Sequence, residues 1–174
     1  MQLVFSDISK SSNLVDYVPI LVAAIIVDLV VMFITKNYAS SIYLKKWYKT
    51  YNLGAVIADV LSVLIGICIA RYIYPLIFTE WSIWKFLLIV LGVQITHDVL
   101  FYIIFSSIPR GASGIMDLFK DYAKEIGGLA IFGDSIIMIS TVVLASLLAS
   151  TNLGANLFIL AWSVYLVPYF VYSF

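Results

Sequence analysis

The sequence predicts an all-α fold: a polytopic transmembrane helical bundle of about five spans, with short amphipathic segments at its interfaces. Three observations predict it. Of 174 residues, 63% are hydrophobic and 11% charged, against about 45–50% and about 25% in soluble domains. Mean hydropathy is +1.07. The apolar residues also fall into five runs, each near the roughly 20 residues that carry a helix across a hydrocarbon core. The polar stretches between the runs are too short for a soluble domain, so residues 1–174 read as a single integral membrane domain.

The spans are expected at about 17–36, 53–78, 84–108, 128–150 and 154–174. Span one lacks the basic leader of a cleaved signal and is expected to persist in the mature protein. Pro75 should end or kink span two, and Pro168 should kink span five. Only Ser150-Thr151-Asn152-Leu153-Gly154 separates spans four and five, a turn tight enough to imply an antiparallel hairpin.

Lys36, Lys45, Lys46 and Lys49 follow span one, and Arg110, Lys120 and Lys124 follow span three. The alternate side holds only Lys10, Arg71 and Lys85, with Arg71 and Lys85 placed to snorkel from span ends. Excess Lys and Arg mark cytoplasmic loops, so the N-terminus is expected outside and the C-terminus in the cytoplasm. Both basic loops look interfacial. Lys45, Lys46, Trp47 and Lys49 mix aromatic and cationic side chains as the headgroup layer favours. Residues 113–126 place Ile115, Met116, Phe119, Tyr122 and Ile126 on one helical face, with Asp117, Lys120, Asp121 and Lys124 opposite. That helix could lie on the membrane or pack on the protein's own loops. Trp81 and Trp84 suggest an aromatic belt on the other side.

Four aspartates, Asp28, Asp59, Asp98 and Asp134, each fall inside a different span. A carboxylate at a helix centre costs roughly 2.5–3.5 kcal/mol on insertion scales, so one per span points to a shared polar site. At ~1.5 Å per residue, all four lie in the cytoplasmic half. Asp28 is ~12 Å from Lys36, Asp59 ~10 Å from Asn52, Asp134 ~10 Å from Gly127 and Asp98 ~16 Å from Pro109. Gln94, Asp98 and Tyr102 form a polar stripe, and Ser62 and Ser135 add hydroxyls nearby. His97, the only histidine, adjoins Asp98 but is turned about 100° from it. Asp28 has only apolar neighbours along its own helix and is the least secure member. Gly54, Ala58, Ser62, Gly66 and Ala70 repeat every four residues, a ladder that lets helices or a second copy approach closely.

One cysteine, Cys68, excludes an internal disulfide or a Cys-x-x-Cys redox pair. A single histidine argues against multi-histidine iron sites, and no basic tail suggests nucleic acid. No cofactor is expected. A bound cation at the carboxylates fits the donor chemistry, but no close-spaced ligand pair identifies a metal. Three roles remain open: hydrogen bonds that fix helix packing, ion or proton handling, and catalysis. Intramembrane aspartyl proteases use Tyr-Asp on one helix and Gly-x-Gly-Asp on another. Here Gly133-Asp134 matches half of the second element, Ile131 replaces its first glycine, and His97 stands where the tyrosine would.

Further elements are Trp47-Tyr48-Lys49-Thr50-Tyr51 before Ala55-Val56-Ile57-Ala58-Asp59-Val60, then Gln94-Ile95-Thr96-His97-Asp98 and Phe101-Tyr102. Met116-Asp117-Leu118-Phe119-Lys120-Asp121-Tyr122-Ala123 and Gly133-Asp134-Ser135 complete the set. Over about residues 45–150 this combination resembles a family of small multi-pass membrane proteins encoded by large nucleocytoplasmic DNA viruses. The resemblance implies a virion internal or host-derived membrane, and a structural or assembly role in which the interfacial loops contact capsid or neighbouring membrane proteins. The sequence-level expectation is therefore a structural membrane component rather than an enzyme, with a small channel or transporter as the alternative.

Overall fold

The computed structural model describes residues 5–174. They form seven α-helices: α1 Tyr17–Asn37, α2 Ile42–Tyr51, α3 Leu53–Ile77, α4 Ile83–Ser107, α5 Gly114–Ile126, α6 Leu129–Leu148 and α7 Leu153–Val171. A single 3-10 turn, Leu14–Asp16, leads into α1, and no strand occurs among the described residues. α1, α3, α4, α6 and α7 are long and apolar enough to cross a membrane, matching the five expected spans. α3 and α7 run through Pro75 and Pro168, each in the last turns of its helix.

The five long helices form a ring in the order α1, α7, α3, α4, α6, with α1 also packed across to α3. α1 is the central element: 61% of its apolar window is buried, against 17–33% for the other four. It is wedged between α6 and α7, which are not a packed pair. The expected hairpin is therefore corrected. The short turn reverses the chain, but the interior faces of both helices close on α1 instead of on each other.

The α1–α3 contact divides the interior. At the end away from the basic loops, Ile20, Ile67, Phe86, Val90, Met138 and Val142 form an apolar core. Here Gly66 matters, because a Cβ on it would stand 3.0 Å from Met138 Cε. The small-residue ladder works only in this half: Gly66 and Ala70 are buried, whereas Gly54, Ala58 and Ser62 are exposed.

The N-terminal segment closes this end. Ile8 is fully buried in the core, and Ser6 is tied to α6 through Ser146 Oγ, which donates to its carbonyl at 2.6 Å. Arg71 does not snorkel. It is fully buried, donating to the carbonyls of Lys10 and Asn13 and standing 3.4 Å from Asp16 Oδ2. Its guanidinium also lies 4.3 Å from the Tyr17 ring centroid. Trp81 likewise leaves the expected belt to pack beside Tyr74 and Phe86. Trp84 is 74% exposed.

At the basic end α2 and α5 cross beneath the bundle. Ser41 and Ser113 cap them by accepting from Leu44 N and Met116 N. α5 packs on α2, α4 and α6, on helices and not on the loops the sequence suggested. Its fully buried residue is Leu118, outside the apolar face read from the sequence, while Ile115 is exposed. The two helices are tied by Glu125, which accepts from Ser41 Oγ at 2.6 Å and Ile42 N at 2.9 Å. Those bonds, the Ser41 hydroxyl foremost, hold Glu125 below its ordinary value of 4.5. The tie is fully present above that value and is lost as pH falls through the lowered one. The Ile42 amide should stay protected from hydrogen exchange above pH 4.5. A Glu125→Gln variant, which keeps an acceptor without the charge, should lose part of that protection at neutral pH.

Candidate functional site

The lower half of the bundle gathers the four aspartates, one each from α1, α3, α4 and α6. Asp28 and Asp59 lie within electrostatic range of each other, and Asp134 within range of Asp59, Asp98 and His97. α5 places Tyr122 below them. Burial, followed by the charges of Asp134, Glu125, Asp59 and Asp98, pushes its phenol up to about 12.

The carboxylates find different partners. Asp28 is 6% exposed and accepts from Tyr48 Oη at 3.0 Å. Asp59 accepts from Trp47 Nε1 at 3.2 and 3.0 Å through its two oxygens. Both donors belong to α2, and both are buried, so Trp47 is no headgroup anchor. Leu44, Trp47, Tyr48 and Tyr51 recur at helical spacing, an inward stripe legible as such. The stripe turns beneath α3 because Asn52, at φ 48°, breaks the path between the two helices. Trp47 then packs on Phe119 of α5, and Tyr48 stacks on Phe174. Burial first, and then the charges of Asp59 and Asp28, hold the Tyr48 phenol well above its ordinary range. Tyr48 therefore remains a proton donor at neutral pH.

Asp98 is served from its own helix. Gln94 Nε2 donates at 2.7 Å, and His97 Nδ1 lies 3.2 Å away. Adjacent side chains on a helix diverge, yet a ring nitrogen and a carboxylate are long enough to meet across that angle. His97 is otherwise exposed and stacks on Phe101. Asp134 makes no side-chain hydrogen bond to any described residue. Ser62 and Ser135 donate to the backbone carbonyls of Asp59 and Ile131 on their own helices, so neither hydroxyl bridges helices. One oxygen each of Asp28 and Asp98 is buried without a partner among the described residues.

Chemically, this is an assembly of carboxylate acceptors with aromatic, amide and imidazole donors. No three His, Cys, Asp or Glu side chains converge at metal-ligating separation among the described residues. A groove of about 410 Å³ between α3 and α4 reaches Gln94 and His97 from the outer surface of the bundle, past Ala58 and Ser62. No protein-family model, curated protein or solved structure matches this chain.

Proposed function

We propose that this protein is a structural component of a membrane, in which buried carboxylates hold an interfacial platform, α2 with α5, against a five-helix bundle. One observation carries the reading: Asp28 and Asp59 each accept from a buried aromatic side chain of α2. Polar bonds between helices in a membrane are each worth about 0.6–2 kcal/mol, and a carboxylate acceptor strengthens them. The apolar core above the aspartates supports the same reading, since Phe86, Val90, Met138 and Val142 fill the route by which an ion would continue. The exposed flank of Gly54, Ala58 and Ser62 offers a second copy or another membrane protein a close approach. By the positive-inside rule the platform faces the cytoplasm. The viral resemblance would put it in a virion or host-derived membrane, facing capsid or neighbouring membrane proteins.

A second reading, proton or small-cation handling, draws on the unpartnered oxygens of Asp28 and Asp98, because intramembrane carboxylates often mark ion paths. Liposome flux separates the two. The structural role predicts no carboxylate-dependent proton or cation flux, and no difference between the native chain and an Asp59→Asn, Asp98→Asn variant. A reproducible flux that this variant abolishes would overturn it in favour of the second reading.

A further inference from the structure

The zero net charge of this chain conceals a sharp separation. The basic end, residues 36–52 and 108–128, holds seven basic residues and three acidic ones. The opposite end has three of each, and the spans between carry the four aspartates.

All three acidic side chains of the basic end are already engaged. Asp117 accepts from Gly111 N at 2.8 Å and pairs with Lys120. Asp121 accepts from Arg110 at 2.7 Å. Glu125 is taken by Ser41 and Ile42. Lys120 is spent on Asp117 and the Ile108 carbonyl. Lys36, Lys45, Lys46, Lys49 and Lys124 are exposed and have no ion-pair partner among the described residues. By contrast, Lys10 pairs with Asp7, Arg71 with Asp16, and Lys85 lies over the Phe78 ring.

Three of the five free lysines share one face of α2, at positions 45, 46 and 49. That face cannot turn away, because the opposite one is pinned through Trp47 and Tyr48. Only four residues separate the end of the candidate span α1 from the start of α2, which places the α2 lysines at headgroup level.

We infer that the lysine face of α2, together with Lys36 and Lys124 at the same end of the bundle, binds the headgroups of anionic phospholipids. Charge complementarity selects this occupant: a fixed row of uncompensated ammonium groups at headgroup level meets phosphate and carboxylate groups that a zwitterionic leaflet neutralises and an anionic one does not. Each lysine at such a surface changes partitioning by roughly fivefold. The inference is independent of whether the aspartates conduct.

The test uses the full chain in nanodiscs of phosphatidylcholine with a minor fraction of phosphatidylserine. Protein-bound lipid is identified by native mass spectrometry. At low salt, phosphatidylserine should be enriched at least fivefold over its bulk share, roughly the effect of one surface lysine. Lys45→Gln, Lys46→Gln and Lys49→Gln together should remove most of that enrichment, as should high salt, which screens exposed charges. Unchanged Trp fluorescence and melting would show that the triple variant is folded, and single Lys→Gln variants give a graded series if it is not. Equal enrichment in the variants and the native chain overturns the inference. So does the absence of any enrichment in the native chain, and poly-glutamate binding in that case would indicate an acidic protein partner instead.

Discussion

Replacing Arg71 with methionine should cost the protein about 3–5 kcal/mol, the usual penalty for removing one partner of a buried ion pair. The substitution leaves the Asp16 carboxylate and the Lys10 and Asn13 carbonyls without their shared donor. Methionine fills most of the volume, so the loss reports on those three acceptors. Arg71→Lys should recover part of the loss, because all three acceptors gather on one nitrogen, Nη2, and an ammonium is a single charged nitrogen with three donors. Adding Asp16→Asn to Arg71→Met should restore part of the stability by removing the orphaned charge. Denaturant titration in micelles would measure the effect, and faster hydrogen exchange at Ile8 would localise it to the N-terminal segment. Native-like stability of Arg71→Met would show that the segment is held by Ile8 and Ser146 alone.

Trp47→Ala should be nearly as severe. The ring is 5% exposed and packs on Tyr51 and Phe119, and truncating a buried Trp costs about 3–5 kcal/mol. Trp47→Phe separates packing from bonding. It retains an aromatic ring but strips Asp59 of both contacts to the indole, an expected loss of about 1–3 kcal/mol. Repeating it in an Asp59→Leu background closes a double-mutant cycle. A coupling of about 0.5–3 kcal/mol is expected for groups in direct contact. Strict additivity would mean that α2 is held by apolar packing alone, which would remove the main support for a structural role of Asp59.

The spans were legible in the sequence because hydropathy is a local property and helices of this length leave it no other outlet. Their packing was less legible. The short turn between the last two spans pointed to a hairpin, yet nothing local reveals that α1 fits between α6 and α7. Asp28 looked the weakest of the aspartates because its helical neighbours are apolar. Those neighbours are apolar because α1 is surrounded by protein, and its donor, Tyr48, comes from the next helix. Trp47 was misread for a related reason: a tryptophan among lysines has the composition of a headgroup segment, and only the spacing of Leu44, Trp47, Tyr48 and Tyr51 separates inward from outward faces. Arg71 was unreadable, since two of its partners are carbonyls of irregular backbone, which carry no side-chain signal.

The wedging of α1 between α6 and α7 bears on how the chain is made. Membrane helices leave the translocation machinery in order of synthesis, so α1 enters the bilayer well before Leu129–Val171 exists. Until then its packing surface faces lipid or a chaperone, with Asp28 held only by whatever α2 and α3 provide. Biogenesis therefore has a waiting period, during which the faces of α1 that α6 and α7 will cover lack their partners, although Asp28 already has its donor in Tyr48 of α2. Truncations or slow codons between Asn37 and Leu129 should lower cellular abundance more than their effect on the finished fold would suggest.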